Sequence, residues 1–330
     1  MRPILSPFAI VEFPGHIECL QIMITNVPNK PDYESAGIAR LNLAWEAVHS
    51  LLDLIALADM TSWDDDGSAA TNFWAASQQS LGNAHALIHQ GIELLLKGHI
   101  AAVSPYLLLD RNIRDWPTRR PDWTADFSEF RTVDSADLVK LFNTVCSTPL
   151  PEPFATMIEM HRKARNAFIH SIGSSKAHDA VGLWKVILEV VHELVAPQKW
   201  FELRRAYLDA DAAVIAFGSD HLITSLARES EILVRQLNTG EKEKYLGWNR
   251  KARAYICYHC ASDYPDAEIR PETAQLAPNA PDSTLVTCFT CGQPSTVHRT
   301  QCVEPECKGN VIEAQHNICL TCFSEQMDHE

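Results

Sequence analysis

Residues 86–97 read Ala-Leu-Ile-His-Gln-Gly-Ile-Glu-Leu-Leu-Leu-Lys. Ile88, Ile92, Leu95 and Leu96 recur at spacings of three and four, which places them on one stripe of a helix. Extending the pattern in both directions predicts a long helix over about residues 69–102. Upstream, Ile38, Leu41, Leu43, Ala44, Val48, Leu51, Leu52 and Ile55 form a second helical stripe. The segment Trp63-Asp64-Asp65-Asp66-Gly67 breaks it, and it reads more simply as an acidic loop than as a Mg²⁺ site. Downstream, a loop over 104–133 rich in Asp, Arg, Trp and Pro leads to a short helix with Ser135 as its expected N-cap. Further helices are predicted over 154–171, 181–194 and 201–237, the last with a break at Gly218. Residues 35–240 therefore read as an all-α bundle without internal repeats. Residues 1–34 carry five prolines and the β-favouring run Ile22-Met23-Ile24-Thr25, the mark of an extended arm with one or two strands. Residues 241–253 read as a charged linker.

Composition narrows the function. With 46% hydrophobic and 21% charged residues the 330-residue chain has enough apolar material for a packed core, which excludes wholesale disorder. The net charge of -14 excludes attraction to nucleic acid or anionic membrane by the overall field, so any contact with RNA needs a local cationic patch. The N-terminal residues lack a secretory pattern, and no unbroken apolar run approaches the ~20 residues of a membrane span. The expectation is a cytoplasmic protein that does not enter a membrane.

The ten cysteines are concentrated: eight lie between Cys257 and Cys322, leaving only Cys19 and Cys146 elsewhere. They fall into pairs, Cys257/Cys260, Cys288/Cys291, Cys302/Cys307 and Cys319/Cys322. Two thiolates separated by two residues can hold one tetrahedral ion from a single turn, and two such turns complete a four-sulfur site. Residues 254–330 thus read as a small zinc-ribbon-like domain with two structural Zn²⁺ ions. Sequential pairing puts the first four cysteines on one ion and the last four on the other; a cross-brace would interleave them. Disulfides, free thiols or an iron–sulfur cluster are the remaining options, and His259, His298 and His316 are replacement ligands. Fully sulfur-ligated ions have no open position, so no catalytic metal is expected. The domain holds three basic and eleven acidic residues, a net of 3 − 11 = −8.

A second cluster of chemistry lies at His161-Arg-Lys-Ala-Arg165-Asn166-Ala-Phe-Ile-His170. On a helix, Phe154, Met157, Ile158, Ala164 and Phe168 make the inner stripe, while Arg162, Asn166 and His170, spaced by four, share a polar face. Arg165 lies at the edge of that face. A guanidinium, an amide and an imidazole together can grip a phosphate and move a proton. The plainer alternative is a solvated helix face. Cys146 has no His or Asn nearby and reads as core. The loop with Trp116, Arg119, Arg120 and Trp123 is either a base-stacking platform or a packed lid.

Arg165-Asn166-x3-His170 late in a helical bundle resembles the Arg-x4–6-His signature of HEPN domains. The helix with Glu93 and Lys97 resembles the long HEPN helix that carries an acidic residue and a Lys, and the likeness spans about residues 70–210. The resemblance implies a homodimer whose paired motifs face a shared cleft, and a metal-independent endoribonuclease of toxin–antitoxin or antiviral-defence type. It assigns catalysis to Arg165, Asn166 and His170, and support or RNA contact to Glu93, Lys97 and Arg162. Glu93 would orient His170 or Arg165, or else simply pair with Lys97 on the helix surface. The cysteine domain would then meet substrate, an antitoxin or another regulatory protein. The alternative is a non-catalytic HEPN-like dimerisation scaffold whose zinc domain is an adaptor for protein partners.

Overall fold

The computed structural model of the chain describes residues 24–59, 68–117, 124–170, 177–262 and 270–326, and of residues 59, 169, 170, 217, 219 and 220 the backbone alone. Most of the N-terminal arm, Cys19, Asp64 to Asp66, Arg119, Arg120 and Trp123 lie outside the described residues. Within them the protein is mainly α, with ten helices followed by a small C-terminal sheet.

Helix α1 (Lys30–Asp59) begins inside the segment expected to be arm. Asn29 and Asp32 cap it reciprocally: the Asp32 amide donates to Asn29 Oδ1 at 3.0 Å and the Asn29 amide to Asp32 Oδ2 at 2.8 Å. Pro31 suits the first turn because its missing N–H has no intrahelical partner there anyway. Helix α2 (Ser68–Val103) packs along α1. The two backbones approach closely where both lack side chains. A Cβ at Gly37 would lie 3.1 Å from the Gly91 carbonyl oxygen, and one at Gly91 3.2 Å from that of Gly37. By length and composition alone α1 is long and apolar enough to cross a membrane, although Glu46 and Asp53 interrupt its apolar run. Its Leu41, Ala44, Trp45 and Val48 are instead fully buried within the bundle.

Strand β1 (Ile24–Thr25) pairs in parallel with β2 (Ala125–Asp126), so the end of the arm is tied to the loop after α2. Helices α3 (Ser135–Val145), α4 (Glu152–His170) and α5 (Ala180–Leu194) follow. Asp134, not Ser135, occupies the N-cap of α3. The single long helix expected over 201–237 is three: α6 (Trp200–Asp209), α7 (Ala212–Phe217) and α8 (Ser219–Gln236). The first break comes where Asp211 turns its side chain onto the Ala213 amide at 2.8 Å and starts a new helix. The second is Gly218, at φ +90, which a side chain would strain. The expected linker is also partly helical. Asn238 and Glu241 form a capping box for α9 (Thr239–Leu246), which ends on left-handed Gly247 and buries Leu246. Beyond it, α10 (Tyr258–Ser262) precedes an antiparallel meander of β3 (Ala274–Leu276), β4 (Leu285–Cys288), β5 (Pro294–His298), β6 (Ile312–Glu313) and β7 (Ile318–Cys319).

The bundle centres on three tryptophans. Trp45 stacks on Trp184 at 4.2 Å and tilts against Trp200 at 4.7 Å. Beside them lies a buried ion pair: Arg204 of α6 donates to both carboxylate oxygens of Glu229 of α8, at 2.7 Å from its NH2 group. Each residue is only 2% exposed. The other bonding capacity is used as well. Arg204 NH1 reaches Asn42 and Glu46 of α1 at 3.0 Å, and Trp45 Nε1 donates to Glu229 at 2.9 Å. One network therefore joins α1, α6 and α8. Removing one partner strands a buried charge, so Glu229→Ala is expected to cost about 3–5 kcal/mol. A urea unfolding midpoint within error of wild type would refute this.

Candidate functional site

The cysteines assemble into two clusters, each with all four sulfur atoms within 4.8 Å of one another. The first unites Cys257 and Cys260 at α10 with Cys288 at the end of β4 and Cys291 in the next turn. Sγ separations are 3.6 Å for Cys257–Cys291 and 3.9 Å for Cys260–Cys288. The second unites Cys302, Cys307, Cys319 and Cys322, with Cys302–Cys322 at 3.7 Å and Cys307–Cys319 at 3.9 Å. These spacings exceed the roughly 2.05 Å of a disulfide, and they match sulfurs arranged around a common ion. The pairing is the sequential one. Backbone amides point at the sulfurs, as ligated thiolates require: Thr290 N to Cys288 Sγ at 3.3 Å, Gln293 N to Cys291 Sγ at 3.4 Å, Glu304 N to Cys302 Sγ at 3.4 Å and Gly309 N to Cys307 Sγ at 3.3 Å. The donor set fits two metal ions, and the histidines considered as replacement ligands are not needed. His316 bonds Glu313 at 3.0 Å and stacks on Tyr258, while His259 contacts the Pro294 carbonyl.

The clusters differ in setting. All four cysteines of the first are buried, and its knuckle is gripped by the helical body. Phe289, between Cys288 and Cys291, packs against Phe201 of α6 and Trp248, both at 5.7 Å. Ala227 of α8 belongs to the small core around it. In the second cluster Cys307 and Cys322 are partly exposed.

Helices α2 and α4 enclose a second polar site that sequence reading missed. His85 and His89, one turn apart on α2, are each 2% exposed. His161 of α4 meets His85 ring to ring, with Nδ1 2.8 Å from His85 Nε2. His178, just before α5, lies 4.9 Å from the His85 ring and is fixed by two bonds to Gln78. Phe168 closes the seam over Gly82, where a Cβ would stand 2.1 Å from the ring. Burial pushes His85 down to about 3, with His161, His178 and His89 acting in the same direction. Burial also lowers His89, His161 and His178. Among the described residues, His85 Nδ1, His89 Nδ1, His178 Nε2 and Arg165 Nε are buried without hydrogen-bond partners. The i,i+4 spacing of His85 and His89 was the available signal, but sequence could not show which elements would meet it.

The expected catalytic residues fall partly into this seam. Arg165 is half-buried, and its NH1 donates to Asn166 Oδ1 at 2.9 Å. The guanidinium also holds the His89 imidazole low, after burial and against Glu93. His170 is the last residue of α4, and its side chain lies outside the description. Arg162 is not free on a polar face: it donates twice to Glu159, both at 2.8 Å, which pulls that carboxyl down to about 2. Glu93 approaches His89 Nδ1 at 3.9 Å rather than pairing with Lys97, which instead donates to Thr132 at 3.0 Å. Ala164, expected on the inner stripe, is exposed. Trp116 is exposed, with its indole N–H donating to the Asp110 carbonyl at 2.9 Å and its ring set edge-on against Phe130. Cys146 packs against the main core.

In comparisons with protein-family models, curated proteins and solved structures, nothing matches this chain.

Two outcomes follow from the geometry. Elemental analysis of the purified chain should find one ion per cluster, with Cys288→Ser and Cys319→Ser each removing a different one; a full complement in either variant would contradict the assignment. Because the seam histidines bind protons less readily folded than unfolded, stability is complete above the ordinary value of about 6.5 and declines as the pH falls towards about 3. Thermal melts across this range should show Tm dropping in acid, and His85→Gln should flatten the drop. Identical slopes in the two proteins would clear the seam of responsibility.

Proposed function

We propose that the chain is a HEPN-like, metal-independent endoribonuclease that acts as a homodimer in a cytoplasmic toxin or antiviral-defence role. The observation that carries this reading is the state of Arg165. Its guanidinium is anchored to Asn166, keeps a buried Nε without a partner, and lies five residues before His170 on one helix. Nε itself is closed off from solvent, so it is the charge of the half-buried guanidinium that an external anion would meet, and a phosphate is the natural one. The neighbouring seam supplies no competing carboxylate to Arg165 among the described bonds.

RNA carries its own nucleophile. His170 takes the proton from the 2′-hydroxyl or returns one to the leaving oxygen. The 2′-oxygen attacks phosphorus, the bond to the 5′-oxygen breaks, and that oxygen leaves protonated. Arg165 balances the charge that grows on the phosphate, and Asn166 orients the phosphate or ribose. The products are a 2′,3′-cyclic phosphate and a 5′-hydroxyl. The two four-sulfur clusters take zinc as structural ions: with every position held by sulfur, neither can polarise a substrate. They supply folding energy to a region otherwise short of apolar core.

RNA bearing labelled ends provides the test. His170→Ala should lower cleavage by at least about 100-fold, and chelation of Mg²⁺ should leave the wild-type rate unchanged. Full activity in the variant, or dependence on Mg²⁺, would overturn the reading.

One feature favours a second reading, a non-catalytic dimeric scaffold with a zinc adaptor. The cysteine domain carries a net charge of −8 (three basic and eleven acidic residues), which repels phosphate and suits a basic protein partner. Absence of cyclic-phosphate ends after incubation of the wild-type protein with mixed RNA would select it.

A further inference from the structure

We propose that Arg205 of α6 is the counter-cation of the first metal centre, supplied by the helical body to a four-thiolate site that cannot balance its own charge. The inference rests on the reading that a divalent ion occupies the first four-sulfur cluster.

The argument begins with an anomaly. Arg205 NH1 is buried and has no hydrogen-bond acceptor. The side chain makes no ion pair among the described residues, although its neighbour Arg204 is saturated by Glu229, Asn42 and Glu46. That nitrogen is closed off from water without an acceptor, which is costly, although the side chain as a whole is only partly buried. Its location supplies the anion. A Cβ built on Gly292 would stand 2.4 Å from Arg205 NH1 and 2.9 Å from its Cζ. The guanidinium therefore lies directly on the backbone of the residue after Cys291. Gly292 has φ +71, so the turn both requires glycine and leaves the space the cation fills.

Four thiolates around a divalent ion carry a net charge of about −2, and the surroundings must compensate it when water is excluded. All four sulfurs of this cluster are buried. The domain itself offers three basic residues, and one of them, Arg270, donates to the Cys322 carbonyl of the second cluster. Phe201, one turn before Arg205 on α6, packs on Phe289 of the same knuckle, so the helix presents an aromatic anchor and a cation to one turn of chain. The Thr290 and Gln293 amides and the Thr273 hydroxyl relieve part of the thiolate charge, and the unpaired guanidinium adds a full positive charge beside the same knuckle. Arg205 is a positioning residue that touches the knuckle and acts on the ion through the thiolates.

The experiment follows zinc release from the loaded full-length chain to a chromophoric chelator, after elemental analysis has counted the ions. Wild type is compared with Arg205→Met, which keeps the stem and removes the charge, Arg205→Lys, which keeps a charge, and Gly292→Ala, which displaces the guanidinium. A Cys319→Ser background isolates the first ion. Arg205→Met and Gly292→Ala should release it roughly 10- to 100-fold faster, the usual effect of losing a group just outside a metal's ligands. Arg205→Lys should lie near wild type, and in the unmodified background the second ion should leave at its normal rate. Equal release from all variants would overturn the proposal. So would acceleration of both ions together with a lowered unfolding midpoint, because Arg205 would then be a packing residue only. A wild-type chain that contains no metal would instead overturn the metal reading beneath it.

Discussion

The bundle is organised around a charge that could not survive alone. Arg204 and Glu229 are buried beside the tryptophans, and each is the other's direct ion-pair partner. Stripping both groups of water is unfavourable, and their attraction in a low-dielectric interior offsets the loss only when every donor and acceptor is used. Asn42, Glu46 and the Trp45 indole complete that set from α1. The network therefore fixes the register of three helices more strictly than apolar packing alone, which tolerates sliding.

That register has consequences at both ends of the molecule. α1 and α2 pack along each other, so fixing α1 also places the α2 face that carries His85 and His89. Fixing α6 and α8 places Phe201, Arg205 and Ala227, the surface on which the first cysteine cluster rests. The cysteine domain is thus not a bead on a flexible string. Its small core, with Tyr255, Val286, Val297, Val311 and Leu320, is finished by a residue from the helical body. Borrowed apolar surface, joined by sulfur ligation when the two clusters hold metal, offsets the ordering entropy that so polar a segment could not otherwise meet.

Much of this was legible in the sequence, and the failures have physical causes. Helices α2, α4 and α5 follow from apolar spacing because each has one buried face. The cysteine pairs follow from ligand spacing, because a metal turn is local. Helix α9 was misread: Glu241 to Lys244 look like a solvated linker, although Asn238 and Glu241 carry the capping signature. The break between α6 and α7 lies in an Ala- and Asp-rich run that suits helix and turn equally. The Arg204–Glu229 pair was not foreseen, because sequence gives no sign that two charges distant along the chain will be buried together. The histidine seam draws on residues 85, 89, 161 and 178, and its existence depends on how α2, α4 and the start of α5 meet. Of the polar face on α4, Arg162 was lost to Glu159, one turn back, a pairing that local spacing did announce.

The contact between Gly82 and Phe168 binds two positions into a single unit of heredity. The ring occupies the volume that any side chain at residue 82 would need. A lineage that enlarges the first must shrink the second in the same step, or part α2 from α4. Such a pair drifts jointly or stands still, so an alignment of descendants would show columns 82 and 168 varying in concert while the exposed residues around them wander separately.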